Sequence, residues 1–515
     1  MRVERFLEAS AARLPDKVAL VCEGQRVTFA ELDTQATRFA AALQRVGVGR
    51  GDRVVIHLEN STAAVVAIFG TLKAGAAFVV VNPTTKPVKL AYILRDAGAV
   101  VLVADARRQG PLAEALAAAP PLKGIVLAGT AAQGPVEDAA NALWFDAIVS
   151  TPAPPPTPPR QINIDLAALV YTSGSTGGPK GVMLTHLNIT SAARSITTYL
   201  GNTEDDVLLN VLPLSFDYGL YQVLMAFRKG ARVVLGRTFT YPMTVLELLR
   251  TERATGFPIV PTISALLVQL DLTRYPLPDL RYVTNTGAAL PTAHITALRA
   301  WLPHVRLFSM YGLTECKRVA YLPPEEIDRR PTSVGKAMPN VEVTLVDEHG
   351  QPTTSGVGEL VVRGSNVMSG YWNRPDETGK VLRPGPFGQR VLYSGDIFRT
   401  DEDGFLYFVS RQDDVIKSRG EKVSPREVEN VIYDLAGVVE AAVIGEADDL
   451  LGQAVSAYIV KGDGVELTAQ DVFRHCARFL EDFMIPRRVE FLDEMPRTAT
   501  GKIDRRALAG PKAGA

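Results

Sequence analysis

Cysteine is scarce in this chain: only Cys22, Cys316 and Cys476 occur, far apart and without CxxC spacing. Neither a disulfide framework nor a thiolate zinc centre is expected, and this usage fits a reducing cytoplasm. Histidine is sparse too, six residues with no HxxxH or HExxH pair, so a resident metal site is not expected. An excess of charge of one sign is also missing: Lys+Arg 55 against Asp+Glu 56 leaves a net charge of −1. No basic field therefore marks nucleic acid or an anionic membrane as a partner. No apolar run reaches the length of a membrane span, the Ala-rich 110–120 region being interrupted by charge and proline. Met1-Arg-Val-Glu-Arg-Phe lacks the apolar core of a signal peptide. A soluble, cytoplasmic protein is expected.

What is present is ordinary globular material, 47% hydrophobic and 22% charged, and 515 residues are too many for one compact core. The first part alternates helix and strand patterns. Thr28 with Glu31 makes a helix start running towards Val46, and Asp52–His57 reads as a strand. A helix over Ser61–Gly75, a strand over Ala77–Val81, a helix over Lys89–Ala97 and a strand over Val100–Val103 follow. This succession predicts parallel βαβ units in doubly wound α/β sheets. Pro152–Pro159 reads as an extended polyproline connection on the surface. From about residue 340 the texture changes to short strands and tight turns, a β-rich subdomain. After Arg411 a compact α+β pattern completes the chain. The expected division is 1–411 for the large domain and 412–515 for a small, mobile one.

The most informative stretch is Tyr171-Thr-Ser-Gly-Ser-Thr-Gly-Gly-Pro-Lys-Gly181, directly after the apolar run Leu166–Val170. Thr172, Ser173, Ser175 and Thr176 offer hydroxyls, Gly174 and Gly177 let backbone approach an anion, and Lys180 adds a fixed cation. It is not a Walker A loop, because Pro179 precedes the lysine and Gly181 follows it. Further on, Tyr311-Gly-Leu-Thr-Glu315 supplies an aromatic face, a hydroxyl and a carboxylate suited to Mg²⁺. Tyr393-Ser-Gly-Asp396 sets a carboxylate after a glycine turn, able to accept from two ribose hydroxyls. Pro496-Arg-Thr-Ala-Thr-Gly-Lys502 sets a lysine on a glycine turn near the C-terminus, where a lysine is ordinarily solvated.

Together with Gly358–Gly364, Gly370–Trp372 and Ser410–Glu429, these motifs stand in an order that resembles the adenylate-forming superfamily of acyl-CoA synthetases, peptide-synthetase adenylation domains and luciferases. The resemblance runs from Thr28 to Arg505. It implies a two-step reaction in which a carboxylate attacks the α-phosphate of ATP, giving acyl-AMP and pyrophosphate, and a second nucleophile then displaces AMP. It further implies that Thr172, Ser173, Gly174, Ser175, Thr176, Gly177 and Lys180 hold the β- and γ-phosphates. Thr314 and Glu315 address the α-phosphate and Mg²⁺. Tyr311 stacks on adenine beside Gly287 and Gly312, and Asp396 and Arg411 fix the ribose. Lys502 bridges the carboxylate and the α-phosphate, an electrostatic role. Asp413 matches the hinge about which the small domain rotates, bringing Ser418, Arg419 and Gly420 to the acceptor tunnel for the second step.

The acyl pocket departs from common patterns. In Leu212-Pro-Leu-Ser-Phe-Asp-Tyr-Gly-Leu220, Phe216 stands where the acyl-CoA synthetase pattern has histidine, and Asp217 follows it. Two readings of Asp217 stand side by side: a carboxylate capping a helix that begins near Tyr218, or recognition of an amine on the acid or the nucleophile. Phe216, Tyr218, Tyr221, Ile259, Thr286, Ala288 and Ala289 are expected to line the cavity, suiting an apolar, cyclic or aryl carboxylic acid. For the acceptor, the thiol of CoA is the default. A separate carrier protein, and an amino acid or amine as in amide ligases resembling coronafacate ligase, stay open. A non-catalytic nucleotide-binding relative would be expected to lose Lys502 or Glu315 first, and both are present.

Overall fold

The computed structural model describes residues 1–515 except 130–141, 173–178, 348, 350, 354–355, 386, 413, 415, 419–420, 449–451, 463, 499–501 and 510–515. Two large sheets form the body. The seven-stranded sheet runs, edge to edge, Ala142–Trp144, Gly124–Ala128, Ala99–Asp105, Arg53–His57, Ala77–Val80, Leu166–Thr172 and Lys180–Thr185, parallel except for the last pair. Its strands are apolar on both faces. Val54 and Ile56 enter one core while Val55 enters another, and Phe78 and Val79 divide in the same way. Period-2 alternation into two cores is what a parallel sheet covered on both sides requires.

The nine-stranded sheet has a parallel centre, Arg306–Tyr311, Tyr282–Asn285, Gly256–Ile259, Val207–Asn210 and Arg232–Leu235, with antiparallel additions at both edges. Helices Phe29–Arg45, Thr62–Ala74 and Asp217–Lys229 contribute to the core shared by the two sheets. The first helix has a full capping box between Thr28 and Glu31, and the second starts on Ser61 and ends on Gly75 at φ +94°. Local sequence therefore set both helix boundaries. Residues 152–160 have no regular structure, and Gln44 fastens this stretch through two hydrogen bonds with the Thr157 backbone.

The β-rich part is a six-stranded antiparallel sheet built on Val341–Val346, Gly356–Gly364, Arg390–Thr400 and Leu406–Arg411. Beyond it, the small C-terminal domain has its own five-stranded sheet, helices Pro425–Tyr433 and Ala469–Phe479, and its own apolar core around Val428, Ile432, Val443 and Val472. Among the described residues no helix is long and apolar enough to cross a membrane.

Candidate active site

The topology explains why motifs so far apart in sequence meet. Val207–Asn210, Gly256–Ile259, Tyr282–Asn285 and Arg306–Tyr311 are adjacent parallel strands, so their carboxyl ends open on one crevice. In open α/β sheets that crevice is where ligands bind. From those four ends issue the Leu212–Phe216 loop, the segment after Ile259, the Thr286–Ala289 turn and the Gly312–Glu315 turn. Gly287 adopts φ +89°, which demands glycine. Gly312 is required for another reason: a Cβ there would lie 2.0 Å from the Lys317 carbonyl oxygen.

The phosphate loop joins two strands rather than a strand and a helix. Tyr171 pairs with Gly181 and Thr172 with Lys180 in antiparallel register, which accounts for the missing Walker pattern, since no helix N-terminus stands behind the loop. Ser173, Gly174, Ser175, Thr176 and Gly177 lie outside the described residues. The roots of the loop are fastened by the Gly370–Trp372 motif: Trp372 N–H donates to the Gly181 carbonyl at 2.8 Å, and Met183 N–H to the Gly370 carbonyl at 2.9 Å. Tyr171 donates to Asp96 and Trp372 Nε1 to the Asp96 carbonyl, so the two motifs share one anchor. Lys180 ion-pairs with Glu377 at 3.2 Å and lies 5.5 Å from the Tyr371 ring centroid, and the Tyr371 hydroxyl donates to Glu315 Oε1 at 2.8 Å. Lys180 and Glu315 are thus linked through one aromatic side chain.

Asp396 and Arg411 are ladder partners on neighbouring strands, and Arg411 Nε sits 3.1 Å from Asp396 Oδ1. The Tyr311 hydroxyl donates to Asp396 Oδ2 at 2.5 Å, and its ring packs edge-on against Phe398. Asp396 is 3% exposed. Burial pushes its carboxyl up while Arg411 opposes the shift, and the same burial, with Asp396 beside it, raises the Tyr311 phenol well above its ordinary value. Thr314 is half-buried in the turn before Glu315.

Lys502 arrives from the small domain. The Thr498 N–H donates to the Lys502 carbonyl at 2.8 Å, closing the turn that presents it. A Cβ built on Gly287 would lie 3.7 Å from Lys502 Cε and 3.5 Å from Phe216 Cζ, so both side chains approach the glycine. The side chain keeps exposed surface towards the open cleft although protein surrounds it at longer range. This desolvation lowers its pKa; Arg411 acts in the same direction, whereas Asp217, Asp396 and Glu315 hold the charge. The small domain is docked in that position by Arg426 donating to the Ala289 carbonyl at 3.1 Å, by Tyr433 packing against His294, and by Ser424 donating to the Val409 carbonyl.

The capping reading of Asp217 needs correction. The helix begins at Asp217 itself, its N-cap is Phe216, and no side chain caps it. Asp217 therefore occupies the first turn, and its carboxylate turns instead to the Lys317 ammonium at 3.3 Å. The amine it meets is the protein's own. Of the residues expected to line the acyl pocket, Tyr218, Tyr221, Ile259 and Thr286 are buried, and Ala288 and Ala289 are more open. Lys317, which sequence reasoning missed, lies 4.6 Å from the Tyr221 centroid and 5.5 Å from that of Tyr218. The signal was there: two cations, Lys317 and Arg318, interrupt an otherwise apolar Cys316–Leu322 run. Asp413, Arg419 and Gly420 lie outside the described residues. Ser418 is buried in the small domain's sheet, opposite Glu421 and Gly452.

A two-part body, motif loops at the carboxyl ends of a parallel sheet and a lysine delivered by a second domain define an AMP-forming carboxylate ligase. The chain belongs to the AMP-binding enzyme family: its model matches residues 7–372, and the model of the family's C-terminal domain matches 427–502. It is 33% identical to a long-chain-fatty-acid–CoA ligase of Yersinia pestis over 98% of this chain and 93% of that protein. The crystal structure of the anthranilate CoA ligase AuaEII in complex with anthranoyl-AMP superposes with a TM-score of 0.89 at 29% identity, covering 99% of this chain and 96% of that one. The amide bond synthetase McbA from Marinactinospora thermotolerans gives 0.87 at 29% identity, over 98% and 99%.

Proposed function

We propose that the chain activates a carboxylic acid with ATP and transfers the acyl group to the thiol of CoA. The observation that carries this reading is the placement of Lys502 over Gly287, within electrostatic reach of Glu315, Asp396 and Arg411. In the first step a carboxylate oxygen attacks the α-phosphorus and pyrophosphate leaves. Attack of an anion on a polyanion needs charge neutralisation and positioning more than covalent help. Lys502 neutralises charge building between the two reactants, and Lys180 exchanges Glu377 for the β- and γ-phosphates. Asp396, oriented by Tyr311 and Arg411, receives the ribose hydroxyls, and the Tyr311 ring offers its free face to the base. Glu315 fits Mg²⁺ brought with ATP: Tyr371 engages its Oε1, and its other oxygen has no hydrogen-bond partner among the described residues. The ion would supply charge screening on the phosphates.

The boundary near residue 411 separates the two domains in this reading, and Asp413 serves as the hinge after adenylation. Rotation there withdraws Lys502 and presents the 418–420 segment to the acyl-AMP, where the CoA sulfur displaces AMP. The reaction is placed in a reducing cytoplasm, consistent with three free, buried thiols. A second acceptor class, an amine, is favoured by the likeness to an amide bond synthetase. Product mass spectra with ATP, an accepted acid and either CoA, a panel of amines or a phosphopantetheinylated carrier protein decide between them. A thioester with free CoA alone supports the reading, and an amide formed in preference to thioester replaces it.

A further inference from the structure

Lys317 and Arg318, beside Tyr218 and Tyr221, have no part in the adenylation chemistry described above. Lys317 is a non-glycine residue at φ +64°, a conformation that costs free energy and persists where the surroundings enforce it. Gly312 allows that turn to close, and Lys317 N–H donates to the Leu313 carbonyl at 2.7 Å. The strained backbone carries an ammonium, 5% exposed, that lies against the rings of Tyr218 and Tyr221. There Asp217 is its single hydrogen-bond partner among the described residues, although an ammonium carries three donors.

Arg318 is 2% exposed, 5.3 Å from the Tyr218 ring centroid and close to Tyr199, and among the described residues its Nε and Nη1 have no hydrogen-bond partner. Among the described residues it makes no ion pair. Lys317 therefore meets a single carboxylate, Asp217, which also acts on Lys502, and Arg318 is paired with none among the described residues. Burying an unmatched charge is expensive, and a purely structural ion pair is commonly replaceable by apolar side chains without loss. An uncompensated positive charge beside a ligand pocket is instead what a site for an anion looks like before the anion arrives.

Phe216 and Lys502 both approach Gly287, Phe216 packs edge-on against Tyr218 at 6.1 Å, and Tyr218 has both cations within 5.5 Å of its ring centroid. We propose that the acid activated by this chain is a dicarboxylic acid, its reacting carboxylate at Lys502 and its second carboxylate on the Lys317 ammonium, with Arg318 supplying the balancing charge. The proposal rests on the adenylation reading and names its substrate class. It replaces the expectation of a wholly apolar acid.

The test is acid-dependent ATP–pyrophosphate exchange with the full chain, across monocarboxylic acids and their dicarboxylic counterparts of equal length, each with and without an amino group. A site built around a charged partner rejects the analogue lacking it strongly, so a preference of at least ~100-fold in kcat/KM for dicarboxylic members is expected. In the charge-neutral double variant Asp217→Asn/Lys317→Met this preference collapses through KM. Equal or better exchange with monocarboxylic members in the wild type overturns the proposal while leaving adenylation standing, and so does a preference that survives in the double variant. Absence of exchange with every acid overturns the adenylation reading and the proposal with it. Should thermal melting show the double variant unfolded, the wild-type panel decides alone.

Discussion

Replacing Lys502 by alanine separates the two half-reactions. The lysine stem passes close to Gly287 and the residue keeps exposed surface, so truncation leaves no sealed cavity. Stability is expected to change by no more than about 0.5 kcal/mol. What is lost is a preorganised cation at the point where charge develops, a contribution on the order of 3–4 kcal/mol, or roughly 10²–10³ in rate. The assay follows pyrophosphate release with ATP and an accepted acid, and separately AMP release from a synthetic acyl-adenylate with CoA. Adenylation is expected to fall by that factor, with KM for ATP little changed, while the acyl-adenylate is consumed at close to the wild-type rate. Adenylation at wild-type speed would refute the role of Lys502. An equal loss in both half-reactions would refute the withdrawal of the small domain between them.

Other perturbations probe neighbouring links. Gly312→Ala drives a Cβ to within 2.0 Å of the Lys317 carbonyl oxygen; an overpacking cost of about 1–3 kcal/mol and loss of adenylation are expected, read by thermal unfolding and pyrophosphate release. Lys180→Met raises KM for ATP about tenfold in steady-state kinetics, because the phosphates lose one charge-assisted contact; an unchanged KM would detach Lys180 from them. Glu429 is buried and holds both Arg505, at 2.5 Å, and the Val443 N–H, at 2.9 Å; Glu429→Gln is expected to destabilise the small domain by about 2–3 kcal/mol in denaturant unfolding. His294, bonded to Ser264, is lowered to about 4 by burial. Its unfolded form takes up a proton first, so its contribution is fully present above the ordinary histidine pKa of about 6.5 and is lost as pH falls towards 4. His294→Gln should therefore show less acid destabilisation between pH 7 and pH 5 than wild type, by up to ~2 kcal/mol in thermal melts.

Local chemistry was readable where it acts locally. Thr28 with Glu31, Ser61, and Gly75 fix helix ends within a few residues of sequence, and the structure places those ends as expected. The Tyr171–Gly181 loop and the Asp396 turn stand out in the sequence because each is a continuous motif. What the sequence hid are the pairings that only topology makes. Asp217 looked like a cap because aspartate before a helical run often is one; its real partner lies one hundred residues on, across the sheet. The Lys180–Glu377 and Tyr371–Glu315 contacts join motifs whose separation carries no period. Lys317 escaped notice because a lysine after an acidic motif reads as solvated, and only its left-handed backbone turns it inward.

The central claim, that ATP is split to an acyl-adenylate at this crevice, is tested most directly by incorporation of labelled pyrophosphate into ATP by the wild-type chain in the presence of an acid panel. Exchange that depends on both the acid and Mg²⁺ and needs no CoA is the predicted result. ATP consumed without acid-dependent exchange, or ADP and phosphate formed in place of AMP and pyrophosphate, would contradict it.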